Sequence, residues 1–328
     1  MKKILFYLIM ATIAVGCGGS DSGSDGASGE GDLTIAVIPK GTAHIFWKTV
    51  HAGAVKAGQE EGVEIIWVGP ENEGDRKQQI DLVENYISRQ VDAIVLAPTD
   101  ENALVRPVEN AMNRGIPVIV IDSGLKTDSY ISFVATDNKE GGRLGARRLG
   151  EVLGGKGKVI LLRYAEGSAS TTNREEGFLE EIAAKFPEIE LISTNQYAGV
   201  TKETGIVASQ NLLNKFQDVD GVFCANESST FGMMRALETS GRSGSVKLVG
   251  FDTSDSLLEG MEKGAIAGLV SQDPFDIGYQ GVKKAVASIR GEEVEKWVPT
   301  RLEMITPQNV EDESIKELIY PDVEKWLN

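Results

Sequence analysis

Cysteine and histidine are nearly absent from this chain. Among 328 residues there are two of each: Cys17 and Cys224, His44 and His51. Two cysteines cannot build a disulfide framework, and so few thiols and imidazoles leave little for a zinc site. No Gly-x-Ser-x-Gly turn and no His-Glu-x-x-His helix occurs, so the common hydrolytic signatures are missing as well. Neither a cofactor nor a resident metal is expected. Positive charge is also short, with 33 Lys and Arg against 49 Asp and Glu and a net charge of −16. A polyanion is repelled by nucleic acid and by an anionic membrane surface, so neither is an expected partner. Aromatic residues make up only 6% of the chain, but at 41% hydrophobic it can still fill real cores.

The long apolar run is at the start. Met1-Lys2-Lys3 precedes residues 4–15, which are apolar or small, and Gly16-Cys17 follows. A basic head, a dozen apolar residues and a small residue at the cut make a secretory signal, too short to be a spanning helix. Ala14-Val15-Gly16-Cys17 resembles a bacterial lipobox, with Ala14 where Leu is usual. That resemblance implies a signal peptide of residues 1–16 and a lipid on the Cys17 thiol. Residues 17–32 are Gly, Ser, Asp and Glu with almost nothing to bury, the composition of a flexible tether. Losing Lys2 and Lys3 takes the net charge from −16 to −18. Cys224 lies in the apolar run Gly221-Val222-Phe223-Cys224-Ala225 and reads as a buried strand cysteine.

The remaining chain of about 300 residues suits two domains of ordinary size. Short Val/Ile runs alternate with helical patterns: strands at 33–38, 63–68, 93–96 and 117–121, helices at 46–61, 75–89 and 102–113. Pro107 inside the last of these is either a kink or a late first-turn residue. The pattern restarts with strands at 159–162, 189–193, 221–224 and 246–249, and helices at 173–185, 201–216, 231–239, 256–263 and 277–289. A final strand is expected within 298–305. Apolar runs without alternation mean strands buried on both faces, hence parallel sheets covered by helices. Two such halves predict two Rossmann-like α/β lobes with a ligand crevice at the carboxyl ends of the strands. Gly154-Gly155-Lys156-Gly157 lacks the Lys-Ser/Thr ending of a phosphate loop and reads as a helix cap and turn.

Polar residues cluster just after the strands. They are Lys40 to Trp47, Asp122-Ser123, the segment from Ser168 to Arg174, taken as a loop, then Asn226-Glu227, Asp252 and Gln272. The pieces Phe46-Trp47, Pro98-Thr99-Asp100, Ile116-Pro117-Val118, Thr136-Asp137-Asn138, Arg174-Glu175-Glu176-Gly177-Phe178, Asn226, Val249-Gly250-Phe251-Asp252 and Gln272 run in order along the chain. Together they resemble the ribose/galactose-type periplasmic sugar-binding proteins of ABC importers, over nearly all of residues 33–291.

The resemblance implies the periplasmic binding protein type I fold, with lobes 33–136 plus 273–298 and 137–272 plus 299–328 joined by a three-strand hinge. It implies a non-enzymatic, monomeric receptor in the periplasm or cell envelope. Such a receptor would enclose a monosaccharide (pentose, hexose or deoxysugar) by hinge closure and deliver it to an inner-membrane ABC permease. Its ligand positions fall on Phe46, Trp47, Asp122, Arg174, Asn226, Asp252 and Gln272. These types suit a sugar, since aromatic rings cover its C–H faces while carboxylates, a guanidinium and amides bond its hydroxyls.

Two departures point away from ribose itself, because Ala97 replaces a pocket Asn and Ser123 replaces an Arg. Ile38-Pro39-Lys40-Gly41 and Asp122-Ser123 look more like the branch that binds autoinducer-2 and rhamnose. There a Lys at this position reaches the ligand, so Lys40 is expected to contact it or to pair with Asp122, and His44, in place of the Asn of ribose binders, is expected to offer it a ring nitrogen. Tyr197 is a further wall candidate. The alternative function is a receptor for autoinducer-2 or another sugar-like signal that feeds a sensor. A repressor is excluded for want of a basic helix-turn-helix head, and an exported enzyme lacks a nucleophile–base pair.

Overall fold

Two sheets account for the Val/Ile runs. A computed structural model describes residues 33–328, and the segment before them, including Cys17 and the expected signal and tether, lies outside the described residues. The first sheet holds β1 (Thr34–Ile38), β2 (Glu64–Trp67), β3 (Ala93–Leu96), β4 (Val118–Ile121), β5 (Ser132–Ala135) and β11 (Trp297–Pro299). The second holds β6 (Lys156–Arg163), β7 (Glu188–Tyr197), β8 (Gly221–Cys224), β9 (Lys247–Phe251), β10 (Gly268–Gln272) and β12 (Leu302–Ile305). Their orders are β11-β5-β4-β3-β1-β2 and β12-β10-β9-β8-β6-β7, and every pairing is parallel except β10 with β12. Each order reverses at the lobe's first strand, between β1 and β3 and between β6 and β8, the switch point where open α/β sheets bind ligands.

Helices cover both faces of each sheet. They are α1 (Ile45–Glu61), α2 (Arg76–Ser88), α3 (Val105–Asn113), α4 (Asn138–Val152), α5 (Ala169–Lys185), α6 (Lys202–Lys215), α7 (Glu227–Thr239), α8 (Asp255–Glu262) and α9 (Pro274–Ile289), with short α10 (Glu313–Ile319) and α11 (Glu324–Leu327). The fully apolar strands β3 and β4 are buried throughout, which is why they show no alternation. Each buried Val or Ile contributes about 1.5–3 kcal/mol by leaving water.

The chain passes between the lobes three times: at Thr136-Asp137 into α4, at Asp273 into α9, and at Thr300-Arg301 between β11 and β12. Asp137 and Asp273 hold equivalent places. Each side chain accepts a hydrogen bond from the first turn of the helix it caps, Glu140 N at 2.9 Å and Asp276 N at 2.9 Å. Thr136 and Thr300 meet hydroxyl to hydroxyl at 3.2 Å in a buried contact that ties two crossovers together.

Several expectations are corrected. The single strand expected within 298–305 is two, one in each sheet, because the chain changes lobes after Pro299. Neither β5 nor α4 stands out in the sequence. α4 carries Gly141, Gly142, Gly145 and Gly150, which read as breakers until its packing is seen. A Cβ on Gly142 would sit 1.9 Å from the Arg174 carbonyl oxygen, so only glycine lets α4 cross α5 this closely. The supposed loop from Ser168 to Arg174 is mostly the first two turns of α5. Pro107 is the third residue of α3, where no helical N–H is missed. The last helix, α11, lies against α1 of the first lobe, with Lys48 Nζ 2.8 Å from Glu324 Oε1, so the tail does not stay with the second lobe.

Candidate functional site

Strand ends and helix starts deliver the polar groups. Lys40 follows β1, His44 caps α1, and Phe46 and Trp47 form its first turn. Asp122 follows β4 directly; in the second lobe Tyr164 follows β6 directly, Asp252 follows β9 and Gln272 ends β10. One buried cavity between the lobes is lined by Lys40, His44, Phe46, Trp47, Asp122, Arg174, Asn226, Asp252 and Gln272, nine of the ten residues singled out as ligand contacts. Ser123 is not among them. It sits behind the wall, 1% exposed, where its hydroxyl accepts the Ser170 N–H at 3.0 Å. Tyr197 is the last residue of β7, 41% exposed and away from the cavity.

The two strand-end aspartates share an unusual backbone. Asp122 has φ 61° and Asp252 has φ 67°, the left-handed region that few side chains other than Asn and Asp enter. Both carboxylates face cations. Lys40 Nζ lies 2.8 Å from Asp122 Oδ2, an ion pair whose angle leaves that oxygen without a hydrogen bond. The same ammonium reaches across the crevice to Ser170 Oγ at 3.0 Å and Ser168 Oγ at 3.4 Å. Arg174 Nη1 stands 3.8 Å from Asp252 Oδ2, and its guanidinium lies 3.7 Å from the centre of the Phe251 ring. Arg174 also donates to Asn138 Oδ1 at 2.7 Å and to the Ala225 carbonyl at 3.0 Å.

Burial pushes the Asp252 carboxyl above its ordinary range, opposed by the Arg174 charge and by the 2.7 Å hydrogen bond from Gln272 Nε2. The other end of that amide, Gln272 Oε1, is buried with no hydrogen-bond partner in the protein, an acceptor left for a donor in the crevice. Asn226 is spent largely on structure, since its Oδ1 accepts the Ser229 N–H at 3.2 Å and caps α7.

A second charged cluster joins the lobes. His44 Nδ1 meets Glu227 Oε2 at 3.2 Å, and Lys202 Nζ holds Glu227 Oε1 at 2.8 Å. Burial alone would lower the His44 pKa, but its hydrogen bond to Glu227 and the charges of Glu73 and Glu227 outweigh that and raise it to about 9. The imidazole is therefore a cation at neutral pH. Ser170, Thr171 and Glu227, which belong to the polar clusters read from the sequence, also line the cavity, and so do Glu73 and Tyr164, which were not chosen from it. Glu73 and Tyr164 each had a signal, as polar groups just past the apolar strands β2 and β6, but Glu73 is buried in a stretch of acidic, glycine-rich loop that reads as solvent-facing.

Among the described residues no group of His, Cys, Asp and Glu could hold a metal, and Cys224 is buried with its thiol pKa pushed up by burial. The arrangement offers hydrogen bonds, aromatic edges and enclosure; it offers no activated nucleophile.

Comparison with known proteins agrees. The periplasmic binding protein domain model matches residues 35–293. The ribose import binding protein of Haemophilus influenzae is 28% identical over 93% of this chain and 100% of its own length. The D-ribose/D-allose-binding protein of Pseudomonas aeruginosa is 30% identical over 83% of this chain and 88% of its own length. A carbohydrate transporter solute-binding protein of Agrobacterium radiobacter, solved with D-arabinose, superposes with a TM-score of 0.85 at 35% identity, covering 88% of this chain and 99% of that one. With two parallel-sheet lobes, a buried polar crevice between them and relatives of this kind, the chain belongs to the periplasmic binding protein family, as a sugar-binding receptor of the ABC importer type and not an enzyme.

Proposed function

We propose that this receptor is tethered to the cell envelope by a lipid on Cys17 and captures an uncharged monosaccharide for an ABC permease. The observation that carries the ligand class is charge balance. Lys40, His44, Arg174 and Lys202 bring four formal positive charges to the site, and Glu73, Asp122, Glu227 and Asp252 bring four negative ones. An anionic or cationic ligand would enter a site already neutral and pay its own desolvation without a free counter-charge. A neutral polyol needs only hydrogen bonds, which these ionised groups make strongly, and the aromatic pair Phe46–Trp47, edge to face at 4.9 Å, suits its C–H surface.

The ligand enters between open lobes and hinge closure at the three crossovers encloses it. Relatives solved or named with D-arabinose, D-ribose and D-allose support a pentose or hexose. Ala97 and Ser123 hold positions where the ribose pattern has an amide and a guanidinium, so the preference is expected to fall on another sugar of this size.

Thermal unfolding of the chain from Asp32 onward, with D-arabinose, D-ribose, D-allose, D-tagatose, D-fucose, xylitol, D-glucuronate, D-glucosamine and autoinducer-2, tests this reading. A ligand at a hundred times its Kd adds about 2.7 kcal/mol and raises the midpoint by several degrees. A rise with a neutral sugar and none with the charged ones is expected. A rise with glucuronate or glucosamine alone overturns the ligand class, and one with autoinducer-2 alone moves the protein to signalling. For the anchor, mass spectrometry of the exported protein should find the acyl chains at Cys17; an unmodified thiol there refutes the tether.

A further inference from the structure

One carboxylate in the site stands outside the Lys40–Asp122 and Arg174–Asp252 pairs. Glu73 lies in the turn between β2 and α2, on the first lobe, and it makes two hydrogen bonds to neutral donors. Its Oε1 accepts from Trp47 Nε1 at 2.9 Å, and its Oε2 accepts from the Tyr164 hydroxyl at 2.7 Å. Trp47 is on the same lobe, whereas Tyr164 follows β6 on the other. His44 Nε2, again from the first lobe, is 3.9 Å from Oε1.

The two donors are firmly held. Tyr164 is 2% exposed, and its own N–H donates to Glu175 Oε1 at 3.0 Å, a carboxylate gripped in turn by Arg163 Nη1 at 2.6 Å. Burial, then the nearby Glu73 charge, pushes the Tyr164 hydroxyl well above its ordinary pKa, so it stays a proton donor. Trp47 is 2% exposed on α1. The Glu73 turn presses on the β1–α1 loop so closely that a Cβ on Gly41 would come within 3.2 Å of Glu73 Cγ and of its backbone nitrogen.

We infer that Glu73 is a positioning residue of closure: Trp47 orients its carboxylate within the first lobe, and Tyr164 docks on it from the second lobe when the crevice shuts around the sugar. The inference rests on the sugar-receptor reading above. When the lobes part, the bond to Trp47 travels with the first lobe and the bond to Tyr164 is broken. The latch therefore adds stability to the closed form only, and a receptor that closes less readily binds its sugar more weakly by the same factor. A phenol donating to a carboxylate in a dry site is among the stronger hydrogen bonds available.

A double-mutant cycle on the chain from Asp32 onward tests it by calorimetric titration. The probe is the tightest binder among D-arabinose, D-ribose, D-allose, D-tagatose and D-fucose. Tyr164→Phe and Glu73→Ala should each weaken binding about tenfold, the loss typical of one hydrogen bond to a charged partner. The double variant should be no weaker than the weaker single one. Unliganded thermal midpoints of wild type and Tyr164→Phe should agree, since the bond is absent from open lobes. Glu73→Gln, which keeps the shape and one acceptor, should recover part of the affinity lost in Glu73→Ala. Strictly additive losses, undiminished affinity, or a Tyr164→Phe midpoint lowered without ligand overturns the latch while leaving the sugar reading intact. Wild type that binds none of the five sugars counts against that reading and removes this inference with it.

Discussion

The two lobes repeat one plan and use it differently. In each, a helix that follows the first strand of the lobe packs against a helix that enters from a crossover: α1 on α9 in the first lobe, α5 on α4 in the second. Glycines make both crossings. A Cβ on Gly53 would sit 1.9 Å from the Phe275 carbonyl oxygen, and one on Gly278 would sit 1.9 Å from that of Val50. In the second lobe the corresponding clashes are Gly142 with Arg174 O and Gly177 with Lys139 O. The start of α1 carries His44, Phe46 and Trp47, while the start of α5 carries Ser170, Thr171 and Arg174. Strand-end aspartates match as well, Asp122 after β4 and Asp252 after β9.

What differs is where each aspartate's cation is anchored. Arg174 keeps partners within its own lobe, the Ala225 carbonyl and the Phe251 ring, besides Asn138 at the crossover. Apart from Asp122, Lys40 bonds only across the crevice, to Ser168 and Ser170. The second lobe's charge is thus prebuilt, whereas the first lobe's charge is completed by closure. One fold plan yields a rigid half-site and a half-site coupled to motion.

That comparison can be broken most forcefully at the aspartates. Asp122→Asn should weaken sugar binding by about a hundredfold, in line with about 2–5 kcal/mol for removing one partner of a buried, hydrogen-bonded charge pair from a binding site. Asp252→Asn should cost less, because Arg174 stays held by its other partners. Calorimetric titration of both variants, with their unfolding midpoints unchanged, decides it. Equal losses, or a larger one at Asp252, would show that the lobes do not divide the work this way.

A second test uses proton linkage. His44 and Glu227 come from opposite lobes, so closure supplies the hydrogen bond that contributes most to raising the imidazole pKa to about 9, while Glu73 on the first lobe supplies a further part in either form. A group whose pKa is raised in the closed form stabilises that form fully below pH 6.5 and loses the effect as pH climbs through about 9. The whole effect is on the order of 3 kcal/mol at most. Affinity should therefore fall by up to about a hundredfold between pH 6 and pH 9.5, and His44→Gln should flatten the profile. A wild-type profile without slope across that range removes His44 from the closing machinery.

The smallest expected effect compares the helix crossings. Gly142→Ala and Gly278→Ala should each lower stability by about 1–3 kcal/mol, the usual cost of overpacking, read from urea unfolding. Only Gly142→Ala should also weaken binding, because the backbone it displaces is that of Arg174. Matching losses of affinity in the two variants would mean that both crossings feed the site equally.

Much of the fold was legible because burial on both faces leaves its mark on composition. The runs at β3, β4 and β8 are apolar without alternation, as strands of a sheet covered on both faces are. Most of the candidate site was legible too, since Lys40, Asp122, Asp252 and Gln272 are polar groups at or just past the ends of β1, β4, β9 and β10. The missed pieces share a cause. α4 looks unhelical because its glycines serve a neighbour far along the chain, Arg174, and helix propensity carries no information about that neighbour. Ser123 looked like a contact because a strand end points toward the crevice, yet which of two adjacent residues reaches it depends on the left-handed turn at Asp122.

Local chemistry by itself determined most strands, most helices and most of the polar inventory of the crevice. Tertiary structure alone decided the partners: Glu73 with Trp47 and Tyr164, His44 with Glu227, Lys40 with Ser170, and the return of α11 to the first lobe. Patterning reports whether a residue is buried, through the free energy of taking its side chain from water. It cannot report which buried group lies opposite, because that is set by lobe closure over separations such as the 183 residues between His44 and Glu227.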